Sequence, residues 1–246
     1  MAVEKVYTKP KCLLPLSSGF CPGCLHSLAT KLIAEAIDDL GVAEKVINVL
    51  PVGCATMNSL YWKLDMVTSA HGRAPAVATG IKRCRPDALV FAYQGDGDLA
   101  SIGLSEVMMA ANRGEHITIF FANNSTYGMT GGQMAPTTLI GEKTTTSPYG
   151  RTAERNGNPI RICEMLSTLD GPSFIARVSV HDVKNVMNAR KVIARAFEHQ
   201  AEGKGLSLVE VLSTCPTNWG RSPQEAMKFV AERMIPAYPL GIFKEV

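Results

Sequence analysis

Two short motifs carry residues that could bind a metal ion and a phosphate group. Gly95-Asp96-Gly97 and Asn123-Asn124 each close an apolar segment. A carboxylate and an amide oxygen are hard ligands suited to Mg²⁺, and glycines beside Asp96 let the backbone approach a diphosphate closely. A helix that starts after Gly97 would offer free N–H groups to the same anion. The two motifs together therefore predict a site for Mg²⁺ and a diphosphate.

Cysteines form a second group of reactive residues. Cys21 and Cys24 stand in a Cys-Pro-Gly-Cys motif, and Cys54 and Cys215 each follow an apolar segment. Such thiols could form disulfides, bind a zinc ion or hold an iron–sulfur cluster. Zinc and a cluster both remain open on spacing alone.

The composition of the chain limits the classes of protein to which it could belong. The chain has 246 residues, 46% of them hydrophobic and 19% charged, with a net charge of +3. That charge is too small to indicate a nucleic-acid partner, and no apolar run approaches the ~20 residues of a membrane span. The N-terminus shows no apolar segment followed by a cleavage site, so we expect a cytoplasmic protein. In that reducing compartment, seven cysteines argue against a disulfide framework.

Apolar segments and amphipathic segments alternate along the chain. Strands are predicted at 45–53, 87–95, 116–124, 173–180 and 206–214, and helices at 25–40, 99–113, 160–169, 182–200 and 222–234. The strands are almost continuously hydrophobic, as strands covered on both faces are. Alternation of this kind implies right-handed crossovers. We therefore predict an α/β fold with a doubly wound, mainly parallel sheet in one domain over residues 1–246.

This sheet would bring the two motifs together. A helix over 99–113 runs ~22 Å at ~1.5 Å per residue, and a strand over 117–123 returns ~23 Å at ~3.3 Å per residue. Asp96 and Asn124 therefore return to the carboxyl edge, where open α/β sheets bind ligands. The same edge should hold Cys54 and Cys215.

Two segments stand apart from the predicted sheet. The segment 12–27 contains the Cys-Pro-Gly-Cys motif, and the segment 133–159 is rich in Thr, Gly and Pro without periodicity. A loop as long as 133–159 inside a compact domain is usually functional or contacts a partner.

Seven motifs in order carry a resemblance to a known family. They are CPGC, PVGC, AHGRAPAVATGIK, GDGD, NN, YGMTGGQ and TCPTNWG. From about Phe20 to Phe243 the chain resembles the thiamine-diphosphate-binding β subunits of 2-oxoacid:ferredoxin oxidoreductases. The resemblance implies the thiamine-diphosphate-binding fold, with thiamine diphosphate, Mg²⁺ and one [4Fe–4S] cluster as cofactors.

The resemblance also implies roles for particular residues. Asp96, the Asn124 side chain and the Thr126 carbonyl would bind Mg²⁺, and Cys21, Cys24, Cys54 and Cys215 would hold the cluster. The residues expected around the cofactor are Val52, Gly53, Cys54, Ala55, His71, Gly97, Asp98, Gly128 and Met129. His26, Arg73 and Lys82 stay unassigned, and Leu25 departs from the family, which often has glycine there.

The activity implied is CoA-dependent oxidative decarboxylation of a 2-oxoacid to an acyl-CoA and CO₂. No catalytic residue is assigned to this chain, because the glutamate that activates the cofactor would come from a partner. The expected partners are α and γ subunits and a ferredoxin or a ferredoxin-like δ subunit. Met57 replaces a basic residue of some relatives, which favours 2-oxoisovalerate or another branched-chain or aromatic substrate, with 2-oxoglutarate next.

Two alternative functions would each require only one of the two sets of motifs. A non-redox thiamine-dependent decarboxylase, such as a sulfopyruvate decarboxylase, needs the GDG and NN motifs but not four cysteines. A zinc-stabilised scaffold subunit needs the cysteines but not GDG and NN.

Overall fold

The computed structural model describes residues 7–246, and the first six residues of the predicted domain lie outside it. The strands are β1 (Val46–Leu50), β2 (Asp65–Thr68), β3 (Leu89–Gly95), β4 (Thr118–Asn123), β5 (Thr126–Tyr127), β6 (Gln133–Met134), β7 (Pro172–Ser179), β8 (Leu206–Leu212) and β9 (Gly241–Glu245). The α-helices are α1 (His26–Leu40), α2 (Ala74–Cys84), α3 (Leu104–Asn112), α4 (Ala153–Asn156), α5 (Ile162–Ser167), α6 (Val183–Ala201), α7 (Pro216–Trp219), α8 (Pro223–Phe229) and α9 (Ile235–Ala237).

Seven strands form one sheet in the order β2-β1-β3-β4-β8-β7-β9. Neighbouring strands are parallel except for β9, which pairs with β7 in the antiparallel sense. The prediction of an α/β fold with a doubly wound, mainly parallel sheet is therefore confirmed. The chain leaves β1 toward β2 on one side and returns to β3 on the other. This makes β1 and β3 a topological switch point, where such sheets bind ligands.

The strand register explains why the two motifs meet. Gly95 pairs with Ala122 between β3 and β4, and Asn123 pairs with Leu212 between β4 and β8. The residues that follow these pairs, including Asp96, Asn124 and Cys215, therefore leave the sheet at its carboxyl edge.

Successive residues of the central strands face opposite layers, because side chains alternate along a strand. Phe91 and Tyr93 pack with apolar residues of α1 and α6, including Phe197. Val90 and Ala92 pack with residues of α2, α3 and α5. Burial on both sides explains the continuous hydrophobicity of these strands.

The prediction of one continuous helix over 99–113 is wrong. A wide π-helical turn occupies Asp98–Ile102, and α3 begins only at Leu104. The turn closes with the Gly103 N–H donating to the Asp98 carbonyl at 2.8 Å. The Asp98 carboxylate at the start of this turn accepts from the backbone N–H groups of Val52 and Gly72 in two neighbouring loops. π-turns of this kind often mark functional sites.

The C-terminal part also differs from the sequence prediction. The segment 222–234 begins with a capping box between Ser222 and Glu225, but regular α8 ends at Phe229 and a π-turn covers Val230–Met234. β9 was not predicted, so the strand before Cys215 is not the last. Because β9 is a partly exposed edge strand, its sequence is less continuously apolar than those of the central strands.

The segment 133–159 is ordered by one arginine. Arg151 is buried, and its guanidinium donates to six carbonyl oxygens. These belong to Ala135, Pro136, Thr138, Asn156, Gly157 and Asn158. The segment holds the short elements β6 and α4. Backbone carbonyls around a central cation leave no hydrophobic periodicity for sequence reasoning to detect.

Within residues 7–246, no helix combines the length and the apolar composition that crossing a bilayer requires.

Candidate functional site

A cavity of about 120 Å³ lies at the carboxyl edge, between the loops that follow β1, β3 and β4. All nine residues predicted to surround the cofactor line it, together with the predicted Mg²⁺ ligands Asp96, Asn124 and Thr126. Its lining also includes His26, Gly95, Tyr127 and Thr130, which the sequence analysis did not assign. The structure thus brings both motifs to one cavity, and the cofactor-binding roles of these residues stay predictions.

Asp96 is buried and held by three donors. Its Oδ1 accepts from the Gly97 N–H at 3.0 Å, and its Oδ2 accepts from the Thr126 N–H at 3.1 Å and the Thr137 hydroxyl at 2.8 Å. Burial raises the pKa of this carboxyl to about 7, although the hydrogen bonds lower it. A cation beside Asp96 would favour the ionised form at neutral pH. Thr137, inside the segment 133–159, was missed by sequence reasoning.

Asn124 supplies the best test of whether the site fits a cation. Its side-chain oxygen is buried and accepts no hydrogen bond from any residue of 7–246. An unsatisfied buried acceptor costs free energy unless a ligand completes it. With a carboxylate and this free amide oxygen lining one cavity, the residues present fit Mg²⁺, which prefers oxygen ligands.

Asp98 organises the loops around the cavity. Its Oδ1 accepts from the backbone N–H groups of Val52 at 3.2 Å and Gly72 at 2.9 Å. Its Oδ2 accepts from Gln94 at 2.5 Å. His71 Nδ1 lies 2.6 Å from Asp98 Oδ1. The carboxylate thus accepts from three protein donors, and its contribution to the cavity is to join the loop after β1 to the turn at Gly72.

Two glycines of the cavity stand where an added side chain would meet a neighbouring side chain. A side chain at Gly97 would overlap the ring of Tyr127. A Cβ at Gly128 would lie 3.3 Å from Cys54 Sγ and 3.6 Å from Cys215 Sγ. Gly128 therefore lies between the cavity and two of the four predicted cluster cysteines.

The four cysteines lie near one another at the same edge. Burial, together with the other three cysteines, raises the pKa of the Cys24 thiol to about 12. Burial, then Cys215 and Cys21, raises the pKa of Cys54 to about 11. Burial also raises the pKa of Cys215, against hydrogen bonds from Asn218. Without a metal the thiols of Cys24, Cys54 and Cys215 stay protonated, so metal binding would release their protons.

A zinc ion and a four-iron cluster would require different separations between the four sulfurs. No three His, Cys, Asp or Glu side chains in the described part of the chain are arranged to hold a metal ion. Four sulfurs around one zinc ion stand ~4 Å apart, given Zn–S bonds of ~2.3 Å. A four-iron cluster binds its cysteines through separate iron atoms and so separates them further.

Thr214 joins the Cys-Pro-Gly-Cys segment to the end of β8. Its hydroxyl donates to the Gly23 carbonyl at 2.6 Å and accepts from the Leu25 N–H at 3.2 Å. This clamp spans 191 residues of sequence, so nothing local could reveal it. It brings Cys24 toward Cys215.

His26, two residues after Cys24, also lines the cavity. Its ring is buried, with Nδ1 2.6 Å from the Tyr93 hydroxyl, and it stacks on Phe20. Burial lowers the pKa of His26 to about 4. The imidazole is therefore neutral at physiological pH.

Other residues left open by the sequence have structural contacts. Arg73 pairs with Glu106, and Lys82 donates to the carbonyls of Pro86 and Ala88. Leu25 is buried in the core against α1. Met57 is not among the residues lining the cavity, and the end of its side chain lies near Gly19. Met57 therefore gives no structural support to the inference about substrate.

Comparisons with known proteins agree with this geometry. Residues 51–211 match the family model of the thiamine pyrophosphate enzyme C-terminal TPP binding domain. The 2-oxoglutarate synthase subunit KorB of Methanocaldococcus jannaschii is 36% identical over 223 residues, which cover 88% of this chain and 78% of that relative. The chain belongs to the thiamine-pyrophosphate-binding subunits of the 2-oxoacid:ferredoxin oxidoreductases.

Other relatives of this oxidoreductase subunit add detail. The ketoisovalerate oxidoreductase subunit VorA of Methanothermobacter thermautotrophicus is 51% identical over 94% of the chain. The chain spans about half the length of the VorA relatives it matches, 48% and 51% of them. A solved 2-oxoglutarate:ferredoxin oxidoreductase from Magnetococcus marinus, with 2-oxoglutarate, coenzyme A and succinyl-CoA bound, superposes with a TM-score of 0.79 at 25% identity. It matches 98% of this chain and 86% of that chain.

Proposed function

We propose that this oxidoreductase subunit binds thiamine diphosphate with Mg²⁺ and a [4Fe–4S] cluster, and serves CoA-dependent oxidative decarboxylation of a 2-oxoacid. The observation that carries the proposal is the position of Cys54. It lines the cavity with Asp96 and Asn124, and its thiol lies with that of Cys215 around Gly128. One residue thus belongs to both the cofactor site and the cysteine group, which would keep the two close enough for electron transfer.

The chain's own residues would hold and orient the cofactor. Asp96, the free Asn124 oxygen and the Thr126 carbonyl would bind Mg²⁺, which would help to neutralise the diphosphate charge. His71, which lines the cavity beside Asp98, would bind a diphosphate oxygen through its ring. When bound, thiamine diphosphate supplies the electron sink for decarboxylation, and the cluster accepts electrons.

A partner chain is part of the proposal. None of the residues of 7–246 that line the cavity is a glutamate, so the acid that activates the cofactor would come from an α subunit. Val52 and Met129 are both lining residues and exposed apolar side chains, which suits contact with another subunit. A γ subunit and a ferredoxin or δ subunit complete the proposed complex, which we place in the cytoplasm.

The proposed substrate is a branched-chain 2-oxoacid such as 2-oxoisovalerate, with 2-oxoglutarate next. Support comes from the 51% identity to a ketoisovalerate subunit against 36% to a 2-oxoglutarate subunit. Comparing kcat/KM for the two acids tests this choice. A clear preference for 2-oxoglutarate would overturn it and leave the rest of the proposal intact.

The decisive experiment is metal and sulfide analysis of the complex purified without oxygen. We expect about four iron and four sulfide per chain, with a broad visible band that dithionite bleaches. One zinc and no sulfide would support a scaffold subunit. Bound thiamine diphosphate without iron would support a non-redox decarboxylase.

A further inference from the structure

Asn218, in α7, forms two hydrogen bonds from one nitrogen atom. Its Nδ2 donates to the Gly128 carbonyl at 2.8 Å and to Cys215 Sγ at 3.2 Å. An amide nitrogen carries two hydrogens, so each contact uses one of them. Rotating the amide by half a turn would set its oxygen against two acceptors. The two partners therefore determine the orientation of the side chain.

Both partners belong to the site proposed above. Gly128 lines the cavity, and Cys215 is a predicted cluster ligand. Gly132, at the end of the same loop, has φ +81°, and a Cβ there would lie 3.0 Å from the Asn218 Cβ. Asn218 is thus packed between the loop 126–132 and the cysteine, with little room to move.

We propose that Asn218 is a positioning residue that ties the cofactor loop 126–132 to Cys215 and raises the reduction potential of the cluster. The inference rests on the proposed function. An N–H donated to a ligand sulfur stabilises the more negative, reduced cluster, because it partly offsets the added charge. The same amide holds the carbonyl of Gly128, so losing it frees the loop that faces the cofactor. Residues that orient ligands in this way affect both affinity and redox properties.

The test uses Asn218→Asp and Asn218→Ala in the complex with its partner subunits. Asp has nearly the same shape but lacks the N–H donors and adds a negative charge beside the sulfur. A potentiometric titration followed by EPR should show a cluster at least tenfold harder to reduce in Asn218→Asp, which is about 59 mV for one electron. In Asn218→Ala the reduction potential of the cluster should fall as well, but by a smaller amount. Calorimetry should show severalfold weaker binding of thiamine diphosphate in both.

Two further variants make the result specific. Thr217→Ala changes an exposed neighbour in the same helix and should leave both readouts as in the unsubstituted protein. Asn218→Gln keeps an amide donor. Its reduction potential should lie between those of Asn218→Ala and the unsubstituted protein. If Asn218→Asp fails to take up iron, the Ala and Gln variants supply the measurement.

The outcomes separate this inference from the proposed function. A complex without iron and sulfide would overturn the function itself. A fully loaded cluster whose potential is the same in the Asn218 variants and in Thr217→Ala would overturn only the role of Asn218.

Discussion

Gly95 and Gly97 flank Asp96, but they have different surroundings. A Cβ at Gly97 would meet the Tyr127 ring, whereas a Cβ at Gly95 would have no atom of the described chain within 4 Å. The first glycine borders open cavity space and the second is packed against a side chain. The two glycines of this motif therefore have different roles: Gly95 leaves room for a ligand, and Gly97 allows close packing against Tyr127.

Gly97→Ala should destabilise the cofactor-free protein by about 1–3 kcal/mol, because the added methyl group forces Tyr127 to move. Gly95→Ala is the matched control and should change the free energy of unfolding by less than about 0.5 kcal/mol. Urea denaturation of both variants measures this. Equal losses in the two variants would contradict the packing role assigned to Gly97.

Asn124 carries an unsatisfied oxygen that only a ligand would complete. Asn124→Leu, of similar shape, should leave the cofactor-free protein at least as stable, since it removes a buried acceptor worth about 1–3 kcal/mol when unpaired. The same variant should weaken Mg²⁺-dependent binding of thiamine diphosphate by about a hundredfold. Calorimetry with and without Mg²⁺ provides the readout. Unchanged affinity would remove Asn124 from the proposed metal site.

Behind the site, a buried ion group joins β4, β7 and β8. Arg177 is fully buried and binds Glu210 at 2.8 Å and Glu164 at 2.6 Å. Glu210 accepts from Asn123 Nδ2 at 2.7 Å, and Asn123 Oδ1 accepts from the Ser125 N–H at 3.1 Å. The first asparagine of the pair thus shapes the turn that presents Asn124 to the cavity.

Arg177→Met should cost about 3–5 kcal/mol of stability, because it leaves the carboxylate of Glu210 buried without its cation. Adding Glu210→Gln should recover part of that loss, since Gln keeps an oxygen for Asn123 and carries no charge. Arg155→Met, at an exposed position of α4, serves as the control. Thermal and urea unfolding measure all three. A double variant no more stable than Arg177→Met would argue against uncompensated charge as the cause.

Glu142 links the segment 133–159 to the turn after β4. It accepts from the Ser125 hydroxyl at 2.6 Å and the Leu139 N–H at 2.9 Å, and burial raises its pKa to about 7 from 4.5. A carboxyl whose pKa is raised on folding stabilises the protein fully below pH 4.5. That contribution disappears as the pH rises toward 7 and above.

The Glu142→Gln variant should therefore lose less stability than the unsubstituted protein between about pH 4.5 and 7. The expected difference across this range is about 2 kcal/mol, allowing for partial solvent screening. Glu154→Gln, exposed on α4, should keep the original pH dependence. Urea unfolding at a series of pH values measures these differences. Parallel stability curves for Glu142→Gln and the unsubstituted protein would contradict the raised pKa.

At the scale of the whole molecule, three separate loops converge only when the sheet is complete. A ligand bound among them would therefore stabilise the entire fold. Thiamine diphosphate and Mg²⁺ together, at about 100 times the Kd, should add ~2.7 kcal/mol. That corresponds to a rise in Tm of roughly 5–10 °C for a chain of this size. Differential scanning fluorimetry measures the shift, and either ligand alone should produce little.

A matching control removes the proposed metal ligand. In Asn124→Leu the combined ligands should leave Tm nearly unchanged. A full shift in that variant would place the ligands elsewhere on the molecule.

Much of the sheet could be predicted from sequence because buried parallel strands are continuously apolar. The five predicted strands correspond to β1, β3, β4, β7 and β8. The short edge strands lacked that signal, and the turn Asp98–Ile102 was missed because its geometry depends on bonds to other loops. Met57 was predicted to influence substrate choice from the resemblance to the family alone, and the cavity does not include it.

The sequence by itself determined the fold class, the family and the set of residues at the carboxyl edge. Strand periodicity and motif spacing are local properties of the sequence. The pairing of the strands then places the motifs side by side at the carboxyl edge of the sheet. Only the tertiary structure revealed Thr137 beside Asp96, Thr214 clamping Gly23, and Asn218 between Gly128 and Cys215. The first two contacts join residues 41 and 191 positions apart. Such contacts follow from how loops pack against one another, which no local pattern encodes.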